Sequence, residues 1–116
     1  MILAILDDLM FTSKIKTAAT QLGVAVNFAR SADAARAAVA ASPPPSLVIL
    51  DLNNTRVDPL GFATAMKANP ALATIPTVGY VSHVQTELIE AARAAGVDEV
   101  LARSAFTARL AEILQR

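Results

Sequence analysis

The sequence predicts an α/β fold: a doubly wound, five-stranded parallel sheet of order 2-1-3-4-5 with helices on both faces. Five short apolar runs alternate with segments whose apolar residues recur at helical spacing. The central run, residues 47–50, is uninterrupted and framed by prolines and asparagines, which is typical of a strand buried on both faces of a parallel sheet. In a chain of 116 residues, right-handed crossovers leave few other packings for this alternation.

Each predicted strand is a short apolar run that closes at a polar or turn-forming residue. The first run closes at Asp7-Asp8, the third closes at Asp51, and the fourth opens at Pro76 and closes at Ser82. The predicted strands cover residues 2–6, 24–28, 47–50, 77–81 and 97–101.

Five helices are predicted between and after these strands. Gly23 and Gly96 are placed to end the first and fourth helices. Ser31 or Asp33 can cap the alanine-rich second helix, which runs to about residue 41. The third helix, residues 60–68, ends before an Asn-Pro pair, and an apolar stripe over residues 106–114 marks the last helix.

Composition narrows the class of protein. Ten basic residues balance ten acidic ones, so bulk charge argues against nucleic acid or a membrane surface as the primary partner. The chain has no cysteine, and its N-terminal apolar run stops after six residues, which is too short for a signal peptide or a membrane span. We therefore expect a soluble, cytoplasmic, single-domain protein over residues 1–116, without an output domain.

Three acidic residues lie at the carboxyl ends of neighbouring predicted strands. Asp7 and Asp8 follow the first strand and Asp51 follows the third, so their carboxylates are expected to converge in one crevice. Converging carboxylates repel each other unless a hard cation such as magnesium lies between them. A magnesium site of this kind makes one carboxylate a plausible phosphoryl acceptor. The alternative is that Asp7 and Asp8 only stabilise a helix N-terminus and Asp51 only begins a turn.

In this arrangement the whole chain resembles the receiver domains of two-component response regulators. The resemblance implies a flavodoxin-like receiver fold in which Asp51 is the phosphorylated aspartate. It also implies a magnesium ion held by Asp7, Asp8, Asp51 and the backbone carbonyl of Asn53. In that family a histidine kinase or a phosphotransfer protein supplies the phosphoryl group, and a downstream partner binds the surface of helix 4, strand 5 and helix 5.

The sequence departs from the family in the part of the site that senses phosphate. Ser82 is the candidate for the hydroxyl residue after strand four, but it lies one position late and Val81 holds the usual place; a bulge or a shifted register would restore it. Arg103 replaces the family's lysine, and a planar guanidinium is not equivalent to a compact ammonium. Val100 replaces the aromatic switch residue. Thr55 replaces a proline that the family usually has.

Two mechanisms therefore stay open within the receiver interpretation, and the first is favoured because all the positions of the implied metal site are retained. In the first, Asp51 accepts a phosphoryl group with the help of magnesium, and Ser82 and Arg103 respond to the new charge. In the second, the chain is a pseudo-receiver that docks partners without phosphorylation. His83, the only histidine, could tune the site or dock a partner, although a lone histidine at a strand end usually does neither.

Two other classes of protein fit the sequence less well, and we expect the protein not to be an enzyme. Asp51 and Thr55 also match the first motif of haloacid-dehalogenase-like phosphatases, but Asn53 stands where that family needs its general acid/base carboxylate. A flavodoxin-like cofactor binder needs a phosphate-cradling loop after strand one, where this chain has Asp7 and Asp8.

Overall fold

A computed structural model of the chain, describing residues 1–54, 56–82 and 85–116, contains one parallel sheet of five strands in the order β2-β1-β3-β4-β5. This confirms the predicted fold class and strand order. Thr55 and His83, singled out in the sequence, lie outside the described residues. The strands are β1 (Ile2–Ile5), β2 (Val26–Ala29), β3 (Leu47–Asp51), β4 (Thr77–Val81) and β5 (Glu99–Ala102).

The helices follow the predicted order, with one difference at the C-terminal end. Gly23 ends α1 in the left-handed conformation, at φ 69°, as a helix-terminating glycine does. Ser31, rather than Asp33, caps α2 by accepting a hydrogen bond from the Ala34 amide. The predicted last helix is divided in two at Arg109. The helices are α1 (Leu9–Leu22), α2 (Ala32–Val39), α3 (Pro59–Ala68), α4 (Thr86–Ala94), α5 (Arg103–Ala108) and α6 (Leu110–Leu114).

The last strand begins two residues later than predicted. The Asp98 side chain in the preceding turn takes the place of the backbone hydrogen bonds that would pair residues 97 and 98 with β4. The Asp98 carboxylate accepts hydrogen bonds from the Thr77 amide (2.8 Å) and hydroxyl (3.0 Å), and the Asp98 amide donates to the Thr77 hydroxyl at 2.9 Å. Gly96 precedes it with φ 103°, a conformation that favours glycine. The chain therefore turns at residues 96–98 and pairs with β4 only from Glu99.

The sheet separates two apolar cores, and the alternation of side chains decides which core each strand residue faces. Leu50 and Leu52 pack with α2, α3 and α4, whereas Leu47 and Ile49 pack with α1, α5 and α6. Asp51, between Leu50 and Leu52, therefore faces the side of α1, α5 and α6. Among the described residues, no helix has the length and apolarity needed to cross a membrane.

Candidate functional site

Asp51 lies at the carboxyl end of the central strand, as the sequence predicts. It is half-buried and pairs in register with Tyr80 of β4. One carboxylate oxygen, Oδ1, accepts a hydrogen bond from the Asn53 amide at 3.0 Å. Burial raises the pKa of Asp51, and the Asn53 amide and the positive charge of Arg103 oppose that rise. The carboxylate is therefore partly desolvated, and the free-energy cost of desolvating its charge is only partly offset by these two groups.

Asp8 is engaged on both of its carboxylate oxygens. Oδ1 caps α1 by accepting hydrogen bonds from the amides of Met10 (2.9 Å) and Phe11 (3.1 Å). Oδ2 accepts a hydrogen bond from an Arg103 guanidinium nitrogen at 2.7 Å. The Phe11 amide and then the Arg103 guanidinium lower the pKa of Asp8, so it is a stable carboxylate that already has a cation beside it.

Asp7 also has arginine partners, and sequence reasoning missed both. Arg30 Nε lies 3.1 Å from Asp7 Oδ1, and Arg56 Nε lies 3.2 Å from Oδ2. Arg30 directly follows β2, and the register pairs Ala29 with Ile5 of β1, so the strand order alone could have placed Arg30 beside the acids. Arg56 reaches Asp7 from the irregular connection after β3, which no periodicity in the sequence predicts.

An aromatic cluster underlies the site on the face of α1 and α5. The ring of Tyr80 lies 4.9 Å, centroid to centroid, from both Phe11 and Phe106. The Arg103 guanidinium carbon is 4.3 Å from the centroid of the Phe11 ring, a cation–π geometry. The Tyr80 hydroxyl is buried and has no hydrogen-bond partner among the described residues. Burial, and then the negative charge of Asp51, raise the pKa of Tyr80.

Ser82 lies beside Asp8 and Arg103 without either the bulge or the shifted register that could have restored its position. The pairing of β4 with β3 and β5 is regular, and Val81 is fully buried in the core on the opposite face from Asp51. Ser82 is exposed just beyond the strand and, with Asp8 and Arg103, helps line an open cavity of 750 Å³. The structure therefore brings three of the predicted site residues to one cavity.

The side chain of Asn53, rather than its carbonyl, makes the visible contacts. Asn53 Oδ1 accepts a hydrogen bond from the Ser82 amide at 2.7 Å, and Asn53 Nδ2 donates to Gln85 Oε1 at 2.8 Å. The connection after β3 is thereby joined to both ends of the connection between β4 and α4. The sequence predicted only a metal-binding role for this residue.

Two of the predicted magnesium ligands, Asp7 and Asp8, are paired with arginines in this arrangement. Magnesium requires near-octahedral oxygen ligands at about 2.0–2.1 Å. Within the described part of the chain, no three His, Cys, Asp or Glu side chains are grouped so that they could hold a metal ion. The oxygens of Asp7 and Asp8 instead contact arginine nitrogens or backbone amides. Three arginines thus pair with the two carboxylates of Asp7 and Asp8 at this edge of the sheet, and the prediction of magnesium at Asp7, Asp8, Asp51 and Asn53 stays a prediction.

Comparison with solved structures supports the same fold. The chain is similar to the receiver domain of NtrX from Brucella abortus, at 24% identity and a TM-score of 0.82, over 100% of this chain and 96% of that one. It is similar to the phosphorylated cyanobacterial phytochrome response regulator RcpA, at 23% identity and a TM-score of 0.82, over 98% and 87% of the two chains. It is also similar to the Mn²⁺-bound form of response regulator Rcp1, at 21% identity and a TM-score of 0.81, over 97% and 89%.

No family model matches the chain, and no curated protein matches it. At these low identities the likeness to solved structures shows the fold alone. The chain therefore has the receiver-domain fold.

Proposed function

We propose that this protein is a signalling module with a receiver fold that acts through contacts with partner proteins and keeps one constant surface without phosphorylation. The observation that carries the proposal is the pairing of Asp7 and Asp8 with Arg30, Arg56 and Arg103. The positive charges of these arginines offset the repulsion between the two carboxylates. No divalent cation is then needed to offset it.

The face formed by α4, β5 and α5 suits a partner-binding role. β5 is an edge strand of the sheet, and each of its four residues is only half-buried. In α4, Ala92 alone is fully buried. An edge strand beside a lightly buried helix leaves backbone and side-chain groups available to another protein. This supports the predicted docking of a downstream partner here; a cytoplasmic location and the absence of enzymatic activity also stay predictions.

A second candidate function is phosphoryl acceptance at Asp51, and one observation favours it. Asp51 Oδ2 has no hydrogen-bond partner among the described residues, while Arg103 and Ser82 lie at the neighbouring cavity. A histidine kinase or phosphotransfer protein would be the donor. Because Asp8 is held by Arg103, this function requires that ion pair to open before a cation can approach the carboxylates.

Intact-mass measurement separates the two candidates. The protein is incubated with acetyl phosphate at saturating concentration, with and without Mg²⁺, beside Asp51→Ala as the matched control. We expect no mass gain in the wild-type protein under either condition. A gain of one phosphoryl group that needs Mg²⁺ and disappears in Asp51→Ala would overturn our proposal and establish the second candidate.

A magnesium titration followed by amide chemical shifts tests directly whether the arginines pair with Asp7 and Asp8 in solution. We expect weak or no binding to the wild-type protein and tighter binding to Arg103→Gln, because Asp8 then loses the cation that competes with the metal. Equal and tight binding by both proteins would show that the arginine pairs do not occupy the acidic residues in solution. Release of phosphate from p-nitrophenyl phosphate would instead favour the phosphatase interpretation.

A further inference from the structure

A hydrogen-bonded path runs from Asp51 to the start of α4 through a single side chain. Asp51 Oδ1 accepts a hydrogen bond from the Asn53 amide, and the Asn53 side chain contacts both Ser82 and Gln85. Gln85 is the N-cap residue of α4, and its carbonyl accepts the helical hydrogen bond from the Ile89 amide at 2.9 Å. The path therefore ends on the residue that sets the position of the helix.

The chemistry of the contacts fixes the orientation of the Asn53 amide. The Ser82 backbone nitrogen can only donate, so the atom facing it at 2.7 Å must be the Asn53 oxygen. The Asn53 nitrogen then faces Gln85 Oε1 at 2.8 Å, where a donor is needed. One asparagine side chain satisfies two different groups at once, which leucine cannot do.

Among the described residues, the first turn of α4 has no fully buried side chain. The Gln85 side chain makes no capping hydrogen bond to its own helix, because it contacts Asn53 instead. Within α4, Leu88 and Ile89 are half-buried and the one fully buried residue, Ala92, lies in the next turn. A helix end with so little apolar burial depends on its polar tether for its position.

We propose that Asn53 is a positioning residue that sets where α4 begins and couples that helix to the state of Asp51. The coupling uses the backbone amide and the side chain of Asn53, and it responds to substitution of Asp51, so it does not require phosphorylation. The effect of this coupling on partner binding rests on the proposed function. The effect of Asn53 on the position of α4 does not, because that position is measured without a partner.

Amide hydrogen exchange read at single residues tests the proposal. In Asn53→Leu we expect the amides of Ile89 and Glu90 to exchange about 2- to 10-fold faster than in the wild-type protein, as for the loss of one or two hydrogen bonds. The amides of β1 and β3 should be unchanged. Asn69→Ala is the matched control, because Asn69 makes its own side-chain contact with the Ala71 amide at the far end of α3.

Two further variants separate positioning from general destabilisation. Gln85→Leu removes the acceptor of the Asn53 side-chain nitrogen and leaves the contact with the Ser82 amide in place, so only the α4 amides should exchange faster. Gln85→Glu keeps an acceptor for that nitrogen and should keep protection. Unchanged exchange at α4 in Asn53→Leu, or equal acceleration throughout the sheet, would overturn the proposal.

The link to Asp51 is tested by a double-mutant cycle. Asp51→Ala alone removes the acceptor of the Asn53 amide and should accelerate exchange at Ile89. In the Asn53→Leu background the same substitution should have no further effect on that amide, because the path is already broken. Additive effects of the two substitutions would show that Asp51 does not act through Asn53. Neither result depends on whether acetyl phosphate modifies the protein, so failure here and failure of the proposed function are distinguishable.

Discussion

Replacing Arg103 by methionine should destabilise the protein by an amount that the structure allows us to work out. The substitution keeps an apolar stem against Phe11 but removes the cation from Asp8. The side chains of Arg103 and Asp8 are 35% and 37% exposed, so their 2.7 Å ion pair contributes about 0.2–1 kcal/mol after solvent screening. The cation–π contact with Phe11 adds about 0.5–1 kcal/mol.

We therefore expect the free energy of unfolding at pH 7 to fall by about 1–2 kcal/mol. For a chain of 116 residues this corresponds to a decrease in Tm of about 4–8 °C. The pKa of Asp8 is lowered in the folded protein, so the stabilisation from its carboxylate is present above the ordinary value of 3.8 and is lost as the pH falls below it. The difference between the wild-type protein and Arg103→Met should shrink accordingly.

Urea denaturation followed by far-ultraviolet circular dichroism, at pH 7 and at pH 3, measures both effects. Asp8→Asn is the matched partner in a double-mutant cycle, because asparagine can still cap α1 while losing the charge. We expect a coupling energy between positions 8 and 103 of about 0.2–1 kcal/mol at pH 7 and a smaller one at pH 3, because protonation of Asp8 begins to remove the ion pair. Equal stability of Arg103→Met and the wild-type protein at pH 7, or a difference that does not depend on pH, would refute the reasoning.

Three other substitutions have expected outcomes that the same denaturation assay measures. Tyr80→Phe removes a buried hydroxyl without a described partner and should leave the protein equally stable or stabilise it by about 1 kcal/mol; a clear loss would reveal a hydrogen bond in solution. Asp51→Asn removes a carboxylate whose pKa is raised by burial, so it should stabilise the protein by about 1 kcal/mol at pH 7, and the gain should vanish below pH 3.8, where the wild-type carboxyl is protonated. Gly96→Ala should cost about 1–3 kcal/mol, because φ is 103° and the new methyl group would overlap the Lys67 side chain. Gly23→Ala, with φ 69° and open space around the glycine, is its control, and an equal loss would exclude the overlap.

The positions of the acids could be predicted from sequence because they depend on strand order alone. An uninterrupted apolar run is diagnostic of a central strand, so Asp51 at its end had to lie near the residues that follow β1. The late start of β5 could not be predicted in the same way. It depends on the Asp98 side chain, which competes with the backbone ladder for Thr77.

The partners of the acids were harder to predict than the acids themselves. Arg103 was identified as a replacement for a lysine, but its contact with Asp8 depends on α5 beginning directly after β5. Arg56 lies in an irregular connection, where sequence periodicity carries no information about direction. The role of the Asn53 side chain likewise depends on how two connections meet above the sheet.

The three arginines that neutralise the acidic pair come from three separate parts of the chain. Arg30 follows β2, Arg56 lies before α3, and Arg103 begins α5. No single amino-acid substitution can therefore remove the arginine partners of both acidic residues. Substitutions in three distant segments would be needed to leave Asp7 and Asp8 both without an arginine. The pattern therefore offers a criterion for sorting related sequences: arginines at all three positions would indicate the same pairing of the two acidic residues.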